Sequence, residues 1–119
     1  MEFAMHECCI SGKRERFLIP AVLYLLSQSP DHGYNILQRL ERYGFDPSSP
    51  DPGSLYRLLR KLESDGMISS TWESGDYGPA KRVYRITDEG SMALTHWIKM
   101  LKQNVSHITQ LITDAEDLQ

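Results

Sequence analysis

The sequence predicts an α+β fold, mainly helical, with one small β-hairpin and a long C-terminal helix. Three observations predict it. Apolar residues recur at helical spacing in three short segments between Phe17 and Asp65. Two strand-like runs, Met67 to Glu73 and Lys81 to Thr87, flank a Gly/Pro-rich turn. Beyond Thr87, apolar residues repeat alternately every four and three positions.

Residues 1–12 show no periodicity and read as a flexible N-terminal arm. Phe17, Ala21, Tyr24 and Leu25, with Leu18 and Val22 beside them, predict a helix buried on a broad face, stopped by Ser29-Pro30-Asp31. A second helix is expected from about His32 to Tyr43, with Tyr34, Ile36, Leu37 and Leu40 on its apolar side and Gly44 as its stop. After the Pro/Ser-rich connector Phe45 to Pro50, Asp51 reads as an N-cap and Pro52 as the first helical residue, where its missing N–H costs nothing. The third helix runs to about Asp65 with Gly66 ending it. Its Leu55, Leu58, Leu59 and Leu62 form one core-facing stripe. Ile68 and Trp72 supply the apolar positions of the first strand, and Val83, Tyr84 and Ile86 those of the second. Ser74 to Pro79 form the reversal between them.

Thr87 caps the last helix, and Asp88 and Glu89 complement its dipole. Leu94, Ile98, Leu101, Val105, Ile108 and Ile112 make a heptad seam along it, with β-branched Ile98, Val105 and Ile112 in a-type positions. That seam outruns what so small a body covers, so a second copy of the chain is its expected partner. Three short helices followed by a hairpin is the order of a winged helix-turn-helix. The expected organisation is an arm over 1–12, a winged helix-turn-helix over 13–87, a dimerisation helix over 88–113 and an acidic tail over 114–119.

The net charge of −3 argues against indiscriminate binding to polyanions, yet Asp114, Glu116 and Asp117 at the C-terminus account for all of it. A neutral body with clustered bases still binds DNA locally. Ser54, Tyr56, Arg57, Arg60 and Lys61 lie off the leucine stripe of the third helix, where Arg suits guanine edges and Ser, Tyr and Lys suit phosphate oxygens. An ordinary solvated helix face would have the same composition. The wing decides for DNA, because Lys81, Arg82 and Arg85 give a basic return strand directly after a glycine-rich tip. Arg85, further from the tip, fits a charge that blunts an exposed edge.

No apolar run approaches the roughly 20 residues that span a bilayer, and no ordered signal peptide opens the chain. Adjacent Cys8 and Cys9 do not suit a disulfide framework, so a reducing cytoplasm is expected. With His6 they suggest a thiol- or metal-responsive arm as an alternative, although no second cysteine pair exists to complete a zinc site. His96 and His107 stand about three turns apart, too far to share a metal ion. No nucleophile–base pair, P-loop or paired-carboxylate motif occurs. Neither catalysis nor a cofactor or metal centre is expected. A second alternative is a winged-helix module that binds protein, because the fold alone does not settle function.

Several stretches carry a family resemblance. They are His32-Gly33-Tyr34, Gly53-Ser54-Leu55-Tyr56-Arg57, Leu62 to Ile68, and Gly78-Pro79-Ala80-Lys81-Arg82 continuing to Gly90. In this order, across about Phe17 to Trp97, they resemble PadR-family transcriptional regulators, in the compact branch with one C-terminal helix. The wording Asp51-Pro52-Gly53 and Gly78 to Arg82 is similar to the polyhydroxybutyrate-responsive repressor group. The resemblance implies a cytoplasmic prokaryotic repressor, dimeric through its first and last helices, on a palindromic double-stranded operator. Recognition-helix contacts would fall on Ser54, Tyr56 and Arg57, and wing contacts near Lys81 and Arg82. It also implies a small-molecule effector. Trp97 is the candidate ligand-binding residue, since some PadR-like regulators stack flat aromatic compounds on tryptophans of this helix. It stands about one turn nearer Thr87 than the multidrug-sensing pattern, which favours a dimer-core or surface role for it.

Overall fold

The computed structural model describes residues 17–45, 52–75 and 78–118. The expected arm, with His6, Cys8 and Cys9, lies outside the described residues, as does the predicted N-cap Asp51. Helix α1 covers 17–28. A short strand β1 (Asp31–His32) leads directly into α2 (Gly33–Arg39), which tightens into a 3-10 turn over Leu40–Tyr43. Helix α3 (Pro52–Ser64), the hairpin β2 (Ile68–Glu73) and β3 (Lys81–Ile86), and helix α4 (Asp88–Glu116) complete the order. The fold is the expected winged helix-turn-helix with a long final helix.

Helix α1 is the hub of the core. Val22 and Leu23 are fully buried, and Ala21, Leu25 and Leu26 nearly so. Ile36 and Leu40 of the α2 segment, Leu55, Leu59 and Leu62 of α3, and Ile68 and Tyr84 of the hairpin belong to the same cluster. Burial of one such aliphatic side chain contributes about 1.5–3 kcal/mol. The leucine spacing on α3 therefore does what its periodicity predicts. Two aromatic pairs close the end of α1. Phe17 stacks on Phe45 at 5.5 Å between centroids, and Tyr24 meets Tyr43 edge-on at 6.3 Å.

Both glycine stops work as left-handed caps, with φ of 89° at Gly44 and 81° at Gly66. Each is followed by a 6→1 backbone bond, Phe45 N to Leu40 O at 3.3 Å and Met67 N to Leu62 O at 2.9 Å. Thr87 caps α4 as expected. Its Oγ1 accepts from Gly90 N at 3.1 Å and donates to Gly66 O at 2.6 Å, so one hydroxyl ties the start of α4 to the end of α3.

The sheet differs from the expected hairpin by one strand. Its order is β1-β3-β2, both pairings antiparallel, with His32 opposite Val83 and Asp31 opposite Tyr84. Asp31 thus does more than stop α1. Its carboxylate accepts from His32 N at 2.8 Å, Asn35 Nδ2 at 2.9 Å and Arg39 Nη1 at 3.1 Å. Burial pushes the Asp31 carboxyl up, but the bonds from Asn35, His32 and Arg39 outweigh it and hold the group below the ordinary carboxylate value.

Four apolar assignments are corrected, the first two being Phe17 and Tyr24, expected on the buried face of α1 but 41% and 39% exposed at its edge. Tyr34, expected on the buried side of α2, is 65% exposed, and Trp72 on β2 is 67% exposed. Tyr34 sits in the first turn, where the helix has not yet met the core. Trp72 shares its strand face with buried Ile68, but it lies toward the hairpin tip, past the end of the core. At the other end of the chain, α4 continues through Glu116, three residues beyond the expected limit at 113.

Candidate nucleic-acid interface

The periodicity of α3 sets the interface. With the leucine stripe turned inward, Arg57 and Arg60 point away from the core, and Tyr56 and Lys61 flank them. Tyr56, Arg57, Arg60 and Lys61 are all exposed, and Ser54 is half-buried. Arg57 Nη2 donates to Ser54 Oγ at 3.2 Å, so the guanidinium is held along the helix toward its N-terminus. Among the described residues Arg60 and Lys61 form no ion pair.

Tyr56 owes its position to Gly33. A Cβ on Gly33 would lie 2.6 Å from Tyr56 Cε1 and 3.1 Å from its Cζ and Oη. Only a hydrogen at that place lets the ring lie against the start of α2. The result is an open cleft walled by His32, Tyr34, Asn35, Tyr56, Lys81, Arg82 and Tyr84. It joins the recognition helix, the start of α2 and the return strand of the wing. His32 Nδ1 sits 3.3 Å from the Arg82 carbonyl oxygen.

The two wing bases differ. Lys81 is exposed, pairs across the strands with Glu73 in register, and forms no ion pair among the described residues. Arg82 is anchored. Its Nε donates to Ser70 Oγ at 2.7 Å and its Nη2 to Glu63 Oε1 at 3.2 Å, while Ser70 Oγ donates to Glu63 Oε2 at 2.7 Å. Its guanidinium carbon also lies 5.7 Å from the Trp72 ring centre and 5.9 Å from that of Tyr84. Burial pushes the Tyr84 hydroxyl above its ordinary value. Arg82 pulls against that, and the Glu63 carboxylate adds to it.

The structure therefore brings Tyr56, Lys81 and Arg82 together along one cleft, while Arg57, Arg60 and Lys61 are spread over the exposed arc of α3. The reading of the sequence missed His32, Tyr34 and Asn35 as parts of this surface, and Glu63 and Ser70 as the groups that hold Arg82. A tyrosine beside a glycine at a helix start was the available signal for Tyr34. For Glu63 no signal existed, because its partner is nineteen residues away. Trp97 is half-buried on α4 and lines an apolar hollow with Phe17, Met100, Leu101, Asn104 and Ile108. Among the described residues no three His, Cys, Asp or Glu side chains gather as a metal site, and no helix is long and apolar enough to cross a membrane.

Comparison with known proteins supplies the context for this surface. Residues 22–96 match the family described as transcriptional regulator PadR-like. The chain is 39% identical over 84 residues to the transcriptional regulator Rv3488 of Mycobacterium tuberculosis, covering 68% of this chain and 75% of that one. Its structure is similar to a PadR-like transcriptional regulator of Bacillus cereus, with a TM-score of 0.69 and 27% identity over 80% of this chain and 90% of that chain. It is also similar to Bacillus subtilis PadR, solved in complex with operator DNA, with a TM-score of 0.61 and 28% identity over 70% of this chain and 46% of that chain.

Proposed function

Because the chain belongs to the PadR-like family of transcriptional regulators, a family of regulators and not of enzymes, we propose that it binds a palindromic operator as a cytoplasmic homodimer and represses the adjoining gene. The observation that carries this reading is the placement of an exposed basic α3 face beside the basic return strand of the wing. A recognition helix of this kind enters the major groove while a neighbouring hairpin tracks phosphates. Arg57 and Arg60 read base edges, and Ser54, Tyr56, Lys61 and Lys81 hold the backbone, with Arg82 at the helix–wing seam. The similarity to Bacillus subtilis PadR, solved in complex with operator DNA, supports the DNA-binding reading.

The proposed pairing of two chains rests on α4. Leu94 is half-buried against the chain's own core and Leu101 is half-buried, but Ile98, Val105, Ile108 and Ile112 are 41%, 62%, 55% and 53% exposed. An apolar seam of that length needs a partner helix. Pairing sets two recognition helices about one DNA turn, roughly 34 Å, apart. A small apolar effector in the hollow between α1 and α4, beside Phe17 and Trp97, acts by favouring one separation of the two helices over the other.

Fluorescence anisotropy on the protein's own promoter fragment and on scrambled DNA of equal length, across a salt series, tests the reading. A preference of about a thousandfold that weakens with salt is expected. Tyr56→Ala and Arg57→Ala weaken operator binding by about 1–3 kcal/mol each while the dimer persists in sedimentation. Unchanged affinity in both variants removes the recognition helix from the interface.

A further inference from the structure

Arg82 is a wing base, yet nothing in its surroundings resembles a side chain waiting for a phosphate. Two elements converge on it from outside its own strand β3: α3 through Glu63 and β2 through Ser70. Ser70 stands opposite Tyr84 and Trp72 opposite Arg82, so the guanidinium reaches diagonally across the ladder to Ser70 and on to the helix. Trp72 and Tyr84 lie near the guanidinium as well. The Glu63 and Arg82 side chains are 28% and 41% exposed, a half-buried pair with a shared third partner in the Ser70 hydroxyl. Two of the three guanidinium nitrogens, Nε and Nη2, are committed to Ser70 and Glu63, so these partners, not a phosphate, set the direction of the group. Lys81, one residue earlier, is exposed and forms no ion pair among the described residues.

We infer that Arg82 is a positioning residue. Through Glu63 and Ser70 it locks the wing to the recognition helix at one spacing, and operator preference depends on that spacing. The inference rests on the operator-binding reading above. It divides the wing into two jobs, with Lys81 neutralising a phosphate and Arg82 fixing where Lys81 stands relative to Arg57 and Arg60. Glu63, an acid beside a DNA-binding face, then has a purpose, since its charge is spent on Arg82 and not turned toward the duplex.

The test uses the full chain and a duplex that the wild-type protein itself enriches from random sequence, beside a shuffled duplex, each titrated over a salt series. Lys81→Met flattens the log–log slope by about one unit. Arg82→Met, Arg82→Lys and Glu63→Gln keep the wild-type slope, and each lowers the preference for the enriched duplex about tenfold. The Arg82→Met/Glu63→Gln double variant loses no more than either single one. Arg82→Lys keeps charge and stem but not the forked geometry, so it separates position from charge without removing the packing of the side chain. Arg82→Lys with wild-type preference, or Arg82→Met with a slope flattened by about one unit, overturns the inference alone. So does Glu63→Gln that tightens both duplexes equally, as loss of a bystander acid does. A wild type that enriches no duplex overturns the operator reading and this inference with it.

Discussion

Gly33 shows how much one missing methyl group decides. Alanine is the better helix former by up to about 1 kcal/mol, so on propensity alone Gly33→Ala stabilises α2. The Cβ would meet the Tyr56 ring at 2.6 Å, and the ring, not the backbone, has to give. The expected outcome is a protein of nearly unchanged melting temperature whose operator affinity falls about tenfold, measured by calorimetry and anisotropy on one sample. Asp31 carries a different signal. Its folded-state pKa is depressed, so its contribution is complete above the unfolded value of about 3.9 and is lost as pH falls through the folded value. Asp31→Asn is expected to cost about 1–3 kcal/mol in urea unfolding at pH 7. The gap from wild type should close as the titration is taken below pH ~4. At this scale the sequence was legible where spacing alone decides, as for Leu55, Leu59 and Leu62. It failed at Tyr34 and Trp72, whose burial depends on where the core ends, which no local pattern records.

Among the elements, the junction of α3, β2 and α4 is the most tightly specified. Thr87 N donates to Met67 O at 3.1 Å, the Thr87 hydroxyl bonds Gly66 O and Gly90 N, and a Cβ on Gly90 would run into the Met67 carbonyl oxygen and to 2.8 Å from Ile86 Cγ1. The obstacle at Gly90 includes backbone, which cannot rotate away. Gly90→Ala should therefore destabilise by about 1–3 kcal/mol, and Thr87→Ala by about 0.5–2 kcal/mol, both read from denaturant midpoints. A Gly90→Ala protein as stable as wild type would mean that α4 docks differently. Thr87 as a cap and the two glycine stops could be read from residue type, because capping chemistry is local. Strand β1 could not. Two residues, Asp31 and His32, carry no alternation, and their pairing with Tyr84 and Val83 crosses about fifty positions of sequence.

For the whole molecule, shape is the informative quantity. The chain measures 61 × 31 × 23 Å with a radius of gyration of 17.0 Å, against about 13.5 Å for a compact chain of this length. The excess is α4, about 43 Å of helix at 1.5 Å per residue, whose residues are all exposed from Lys102 to Glu116. Val105→Glu with Ile112→Glu places carboxylates on the proposed pairing seam. Sedimentation should then report a single chain where the wild type reports two, and operator affinity should fall with it. A paired double variant would move the contact elsewhere. A helix of some fifteen residues that no other described residue buries is marginal in water, so under the proposed pairing the far half of α4 is firm only while a second chain lies on it. Supply of the protein then becomes a control variable of its own. While copies are scarce, occupancy of the operator rises with the square of chain concentration, so halving production cuts it about fourfold by mass action alone. A cell could silence such a regulator by slowing its synthesis, with no effector present.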